Sequence, residues 1–138
     1  MAREAVLRDT KILTSRRYSC ASGVAIPKGT YLKNADPHTA SASTGTGDAF
    51  CGFAHADVNN STDSAFNTET SITADKGGFY ELVASGAITA NAYVKTASPG
   101  NYVMQCTDAD MTASIANVVG IAREAASDGE TINVEVFA

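Results

Sequence analysis

Residues 85–96 read SGAITANAYVKT, and residues 22–34 read SGVAIPKGTYLKN. Ile26, Tyr31, Leu32 and Lys33 return as Ile88, Tyr93, Val94 and Lys95 at one constant spacing of 62 residues. The echo continues downstream, where Gly52-Phe53-Ala54 follows the first segment and Gly120-Ile121-Ala122 follows the second. Each half reads as an apolar start, a turn, a Tyr-Leu/Val-Lys strand, a polar loop and a Gly-apolar-Ala strand. A further strand then follows, Phe79–Val83 for the first half and Thr131–Phe137 for the second. One such unit cannot bury both of its faces, whereas two packed together or closed into a small barrel can. The repeated segments hold no acid–base pair and no metal-ligand set, so the repetition points to architecture. Gly52 and Gly120 are expected inside strands, where a neighbouring backbone approaches closely.

Working outward, the turn signals divide the chain into short strands every eight to twelve residues, the pattern of a small all-β domain. Pro27-Lys28-Gly29 separates Val24–Ile26 from Thr30–Leu32, and Ser98-Pro99-Gly100-Asn101 precedes Tyr102–Cys106. Asn34–Asp48 reads as a long polar loop and Ala49–Ala56 as a strand. Asp75–Gly78 reads as a turn between strands Ser71–Ala74 and Phe79–Val83, and Ala87–Thr89 as another short strand. Asp108–Ala116 suits a helical turn or a loop. The alternation of Ile132, Val134 and Val136 marks a half-buried antiparallel strand. The expected fold is therefore mostly β, a small antiparallel barrel or sandwich built from two similar β units.

The length of 138 residues suits one domain with a core of its own. Charge is divided along it. Residues 1–17 hold Arg3, Arg8, Lys11, Arg16 and Arg17 against Glu4 and Asp9, a net of +3; the rest hold five basic and thirteen acidic residues, a net of −8. We therefore expect a basic, extended N-terminal arm over residues 1–17 and a β-rich domain over 18–138. An acidic body argues against nucleic acid as a partner. No apolar window approaches a membrane span and the N-terminus lacks an apolar signal core, so neither a membrane nor a secretory route is expected.

Cys20, Cys51 and Cys106 are widely spaced, with no C-x-x-C pair and only His38 and His55 as other soft ligands. They read as buried apolar residues, and no metal or cofactor is expected. His55 and Asp57 lie close in sequence, but no G-x-S-x-G elbow accompanies them. The run Asp57, Asn59, Ser61, Asp63 resembles a calcium loop, yet its sixth position is Thr62 rather than Gly. Gly45 and Gly47 lack the Lys-Ser/Thr of a phosphate loop. The expectation is a protein without enzymatic activity.

The runs GGFYELVASGAITANAYVKT (77–96) and VVGIAREAASDGETINVEVF (118–137) resemble the small capsid-decoration, or cement, proteins of tailed phages. That group shows a G-x-x-Y/F-E strand, an A-I-T-x-G-D-x-V-Y turn and strand, and a closing G-I-A strand with V-x-V/L. Here Asn91 and Ala92 stand in place of the Gly-Asp pair. The resemblance covers 77–137, with a weaker copy at 22–56. It implies a β-tulip-like domain made in the host cytoplasm and carried on the outer surface of an icosahedral head. There it would bind the major capsid protein at threefold or quasi-threefold sites, as a homotrimer, and stabilise the shell. Arg3, Arg8, Lys11, Arg16 and Arg17 would then meet acidic capsid residues, with the arm adding a strand to the shell. Tyr31 and Tyr93 are candidates for subunit packing. The rival reading is a carbohydrate- or host-binding module of a head fibre or tail component, with Tyr18, Tyr80 and Tyr102 stacking on sugars.

Overall fold

The computed structural model describes residues 4–7, 14–61, 69–97, 101–113 and 115–137. Its strands form two successive units. The first contains β2 (Thr14–Cys20), β3 (Ala25–Ile26), β4 (Tyr31–Asp36), β5 (Thr39–Ala42), β6 (Phe50–Ala54), β7 (Val58–Asn59) and β8 (Ser71–Lys76). Of these, β2, β5, β4, β6 and β8 close into a five-stranded barrel. The second contains β9 (Gly78–Val83), β10 (Tyr93–Ala97), β11 (Tyr102–Gln105), a six-residue helix α1 (Asp108–Ala113), β12 (Val118–Ala122) and β13 (Thr131–Val136). Here the order is β9-β13-β12-β10-β11, and β1 (Val6–Leu7) lies on the outer edge of β9.

The two units share one strand topology, with corresponding pairings. Leu32 pairs with Gly52 and the ladder slips between Leu32 and Lys33; Val94 pairs with Gly120 and the ladder slips between Val94 and Lys95. Ile26 pairs with Val58 as Ile88 pairs with Ala126. A parallel contact joins Cys20 to Ala40 and another joins Ala84 to Val103. Both glycines face a neighbouring backbone. A Cβ on Gly120 would lie 2.1 Å from the Glu135 carbonyl oxygen, and one on Gly52 2.9 Å from that of Asp75. Only a residue without Cβ lets these strands cross so closely.

Alternation builds each interior. Tyr18, Cys20, Leu32, Ala40, Ile72 and Ala74 fill the first barrel, and Leu82, Val94, Val103, Ile132 and Val134 fill the second unit. Tyr31, Phe50 and Phe53 point away from the first barrel and join the second core instead. Phe53 is the hub, with ring centres 5.0 Å from Tyr31, 5.0 Å from Phe50 and 4.5 Å from Tyr80. Each such pair adds roughly 0.5–1.5 kcal/mol beyond burial. The aromatic cluster is thus the seal between the units, which are linked in sequence by Gly77 and Gly78 at φ +85° and +98°.

Four expectations need correction. The strand corresponding to Thr131–Val136 is Ser71–Lys76; Phe79–Val83 opens the second unit and corresponds to β2, as its pairing with β13 requires. The supposed loop Asn34–Asp48 contains β5, whose Thr-Ala-Ser-Ala carries no large apolar residue yet fits because Ala40 is fully buried. Ala87–Thr89 contributes a single bridge at Ile88 rather than a strand. Strand β8 continues through Asp75 and Lys76, so the turn is confined to Gly77.

Candidate interaction surfaces

Among the predicted basic residues, Arg16 and Arg17 lie on β2, paired opposite Ala74 and Thr73. Both are exposed. The Arg17 guanidinium donates to Ser71 Oγ at 2.8 Å, and that of Arg16 lies 5.1 Å from the Tyr18 ring centre. Strand β2 thus runs across residue 17, and these two arginines belong to the barrel wall. Arg3, Arg8 and Lys11 lie outside the described residues. Beside Arg16 and Arg17, Ser19, Pro37 and His38 border an open cleft of about 330 Å³.

Tyr31 is fully buried in the seal between the units, whereas Tyr93 is 40% exposed. Tyr93 stands in a row running across the second sheet. It pairs with Ile121, Ile121 with Glu135, and Glu135 with Phe79. Phe79 is exposed, and so is Phe137, whose ring centre is 6.0 Å from that of Tyr93. Arg123 pairs with Glu135 and donates to Asn91 Oδ1 at 3.2 Å. The charge at Glu135 is thereby shared, and the aromatic edges around it stay open to solvent. Sequence reading missed Phe79 and Phe137 because alternation alone does not distinguish a covered face from an uncovered one.

A second concavity, of about 540 Å³, lies between Glu4–Val6 and the first unit and is bordered by Lys28, His55, Asp75 and Tyr80. His55 Nδ1 is 2.6 Å from Asp75 Oδ2, and Ser15 Oγ donates to Asp75 Oδ1 at 2.7 Å. The carboxylate therefore stands between serine and histidine. A hydrolytic triad places the histidine between the other two, where it can take the nucleophile's proton. Asp57, the partner suggested by sequence, instead accepts the Lys28 backbone N–H at 2.6 Å. Burial, reinforced by the Asp75 charge, pushes the Tyr80 hydroxyl up to about 12, so it stays protonated.

Cys20 and Cys51 are buried, and burial pushes the Cys51 thiol up to about 11 despite the nearby Lys76. Thiols held that far above neutrality are poor nucleophiles. Among the described residues no group of three or more His, Cys, Asp or Glu gathers as for a metal, and no helix is long and apolar enough to cross a membrane. Tyr18 and Tyr80 are 8% and 3% exposed, so they offer no platform for stacking on a sugar; Tyr102 is half-buried.

No family model and no curated protein sequence matches the chain. Its fold does match solved structures. The crystal structure of the N-terminal base of the head fibre protein gp8.5 of bacteriophage phi29 aligns with a TM-score of 0.52 at 15% identity. The alignment covers 90% of this chain and 93% of that one. At that identity the likeness establishes a common fold, in which both units take part.

Proposed function

We propose that the chain is a non-enzymatic structural protein of a phage-type virion, mounted on the outside of the head through the major capsid protein, as the base of a projecting fibre. The observation that carries this reading is the agreement in fold, over nearly the whole of both chains, with a head fibre base. The surface is consistent with it. Among the described residues it exposes an aromatic row and a pair of arginines, and the histidine–carboxylate–serine set at Asp75 has the wrong order for hydrolysis. Affinity would come from several copies, each with a modest contact.

A second reading, a cement protein clamping neighbouring capsid subunits at threefold or quasi-threefold sites as a homotrimer, is favoured by the charge division. The basic residues of 1–17 would face acidic shell residues, with Arg16 and Arg17 presented from the barrel wall. The strand-adding role of the arm has a precedent within the molecule, since Val6 and Leu7 already extend the edge of β9 opposite Glu81 and Tyr80.

Cryo-electron microscopy of heads with and without the purified protein tests both. A fibre base predicts density projecting from one class of site, and a cement protein predicts density spanning adjacent subunits at threefold sites. Heads unchanged by the protein would overturn both readings. Replacing Arg3, Arg8 and Lys11 by Glu should weaken shell binding and its salt sensitivity if the arm docks on acidic residues. Truncation through residue 17 is the wrong experiment, because it removes four residues of β2 from the barrel.

A further inference from the structure

We propose that the second-unit face carrying Tyr93, Ile121, Glu135 and Phe79 docks on the Arg16–Arg17–His38 face of the first unit of a second copy of this chain, repeating between chains the contact that joins the two units within one. Such a contact follows from the internal duplication and is independent of attachment to a head.

Strand pairing fixes which residues correspond. In the first unit a row runs Tyr31, Phe53, Asp75, Ser15 across β4, β6, β8 and β2. The matching row in the second unit runs Tyr93, Ile121, Glu135, Phe79 across β10, β12, β13 and β9. The first row is covered at three of its four positions, with Tyr31, Phe53 and Asp75 at 0%, 1% and 6% exposure where the second unit lies over it, and Ser15 at the β2 end exposed. The second row is open, with Tyr93 and Phe79 at 40% and 39%.

The surface that covers the first row also has its counterpart. Phe53 packs on Tyr80, and in the aligned ladders Tyr80 corresponds to Arg16. Likewise Val83 corresponds to Ser19, beside which Pro37 and His38 border the 330 Å³ cleft. Each unit thus has a row and a socket. Within the chain the first row fills the second socket, which leaves the second row and the first socket as an unmatched pair among the described residues.

The chemistry of the free pair has changed in step. Where the internal socket offers the Tyr80 ring, the free one offers the guanidinium of Arg16, with Arg17 bordering the same cleft. Opposite them the free row brings two exposed aromatic rings, beside a Glu135 carboxylate already paired with Arg123. A guanidinium stacks on aromatic faces, so two exposed rings suit two arginines. The contact joins unlike surfaces. It is therefore head-to-tail and generates a ring where the rotation closes. A twofold relation between units would have buried Tyr31 and Tyr93 alike, and their exposures exclude it.

Sedimentation velocity on the full chain, with circular dichroism to confirm folding, tests the contact. Wild type should self-associate, and Tyr93→Ser, Phe79→Ser and Arg17→Glu should each weaken association about tenfold or more. Arg17 is the safer basic variant, being exposed with Ser71 as its side-chain partner. A benzophenone side chain at position 93 should cross-link between chains to residues 14–20 or to Pro37–His38. A wild-type chain that stays monomeric at about 100 µM overturns the proposal. So do folded variants that keep wild-type mass, or cross-links that map to the second-unit face itself.

Discussion

Tyr31 and Tyr93 occupy one register position in two copies of the same β framework, each opposite the residue that follows a close-crossing glycine. One is sealed at 0% exposure and the other stands 40% open. The backbone treats them identically, down to the slip in the ladder after Leu32 and after Val94. What separates them is the neighbouring unit: the second covers the first, and among the described residues nothing covers Tyr93. Duplication thus made one buried seal and one exposed copy of it. A face that one β unit has buried is, in its copy, a face available to a partner.

That difference is sharpest at the centre of the two rows. Phe53 touches three rings and is buried, whereas its counterpart Ile121 is partly exposed. Phe53→Ala should destabilise the chain by about 3–5 kcal/mol, through lost burial and the cavity left behind. Ile121→Ala should cost no more than about 1 kcal/mol in the monomer, since the half-exposed site leaves little cavity. Urea unfolding at low protein concentration measures both. Equal losses would mean that the second row is already covered, and the asymmetry would vanish.

The crossing glycines come next. Gly120→Ala brings a Cβ to within 2.1 Å of the Glu135 carbonyl oxygen, and Gly52→Ala to within 2.9 Å of the Asp75 oxygen at a φ of +136°. Backbone cannot yield as a side-chain tip can, so both should cost about 2–3 kcal/mol. Steric overlap is worse at Gly120, and conformational strain adds to the cost at Gly52. If either substitution left the urea midpoint unmoved, the close crossing would not be what ties β6 to β8, or β12 to β13.

The repeat could be read in the sequence because its carriers are chemically distinctive: a Tyr-Leu/Val-Lys strand and a Gly inside an apolar run. Its true extent could not. The strands that close each unit, Ser71–Lys76 and Thr131–Val136, share only alternation, so Phe79–Val83 looked an equally good partner for the latter. Strand β5 went unseen because Thr-Ala-Ser-Ala has the composition of a loop, and a narrow barrel accepts small residues where a larger one would need Val or Ile. Of the candidate surface, Tyr93, Arg16 and Arg17 were named from the sequence. Which tyrosine is exposed, and that two arginines assigned to an arm stand in a barrel wall, depends on tertiary contacts more than 50 residues apart. Local pattern carries no record of those.

The smallest expected difference lies in the ion pairs made by two lysines at the same register. Lys33 and Lys95 occupy matching positions, and each pairs with a carboxylate from the segment between corresponding strands, Asp48 at 3.7 Å and Asp110 at 2.8 Å. The Lys95 hydrogen bond, with the Thr107 backbone N–H behind it, holds the Asp110 carboxyl down to about 2. Asp48 is pushed up by burial, but donation from the Gly45 and Thr44 N–H groups and Ser43 Oγ brings it below the usual range, with Lys33 the least contributor. Both depressions stabilise the fold above the ordinary carboxylate pKa near 4, and that support is lost as pH falls through the folded values. Lys95→Met should therefore raise the Asp110 midpoint clearly, while Lys33→Met should move Asp48 only slightly. Carboxyl-carbon NMR titration from pH 6 to about 1.5 reads both. A larger shift at Asp48 than at Asp110 would mean that the lysine, rather than the backbone amides, holds the first pair, and that the two units are more alike at this position than their geometry indicates.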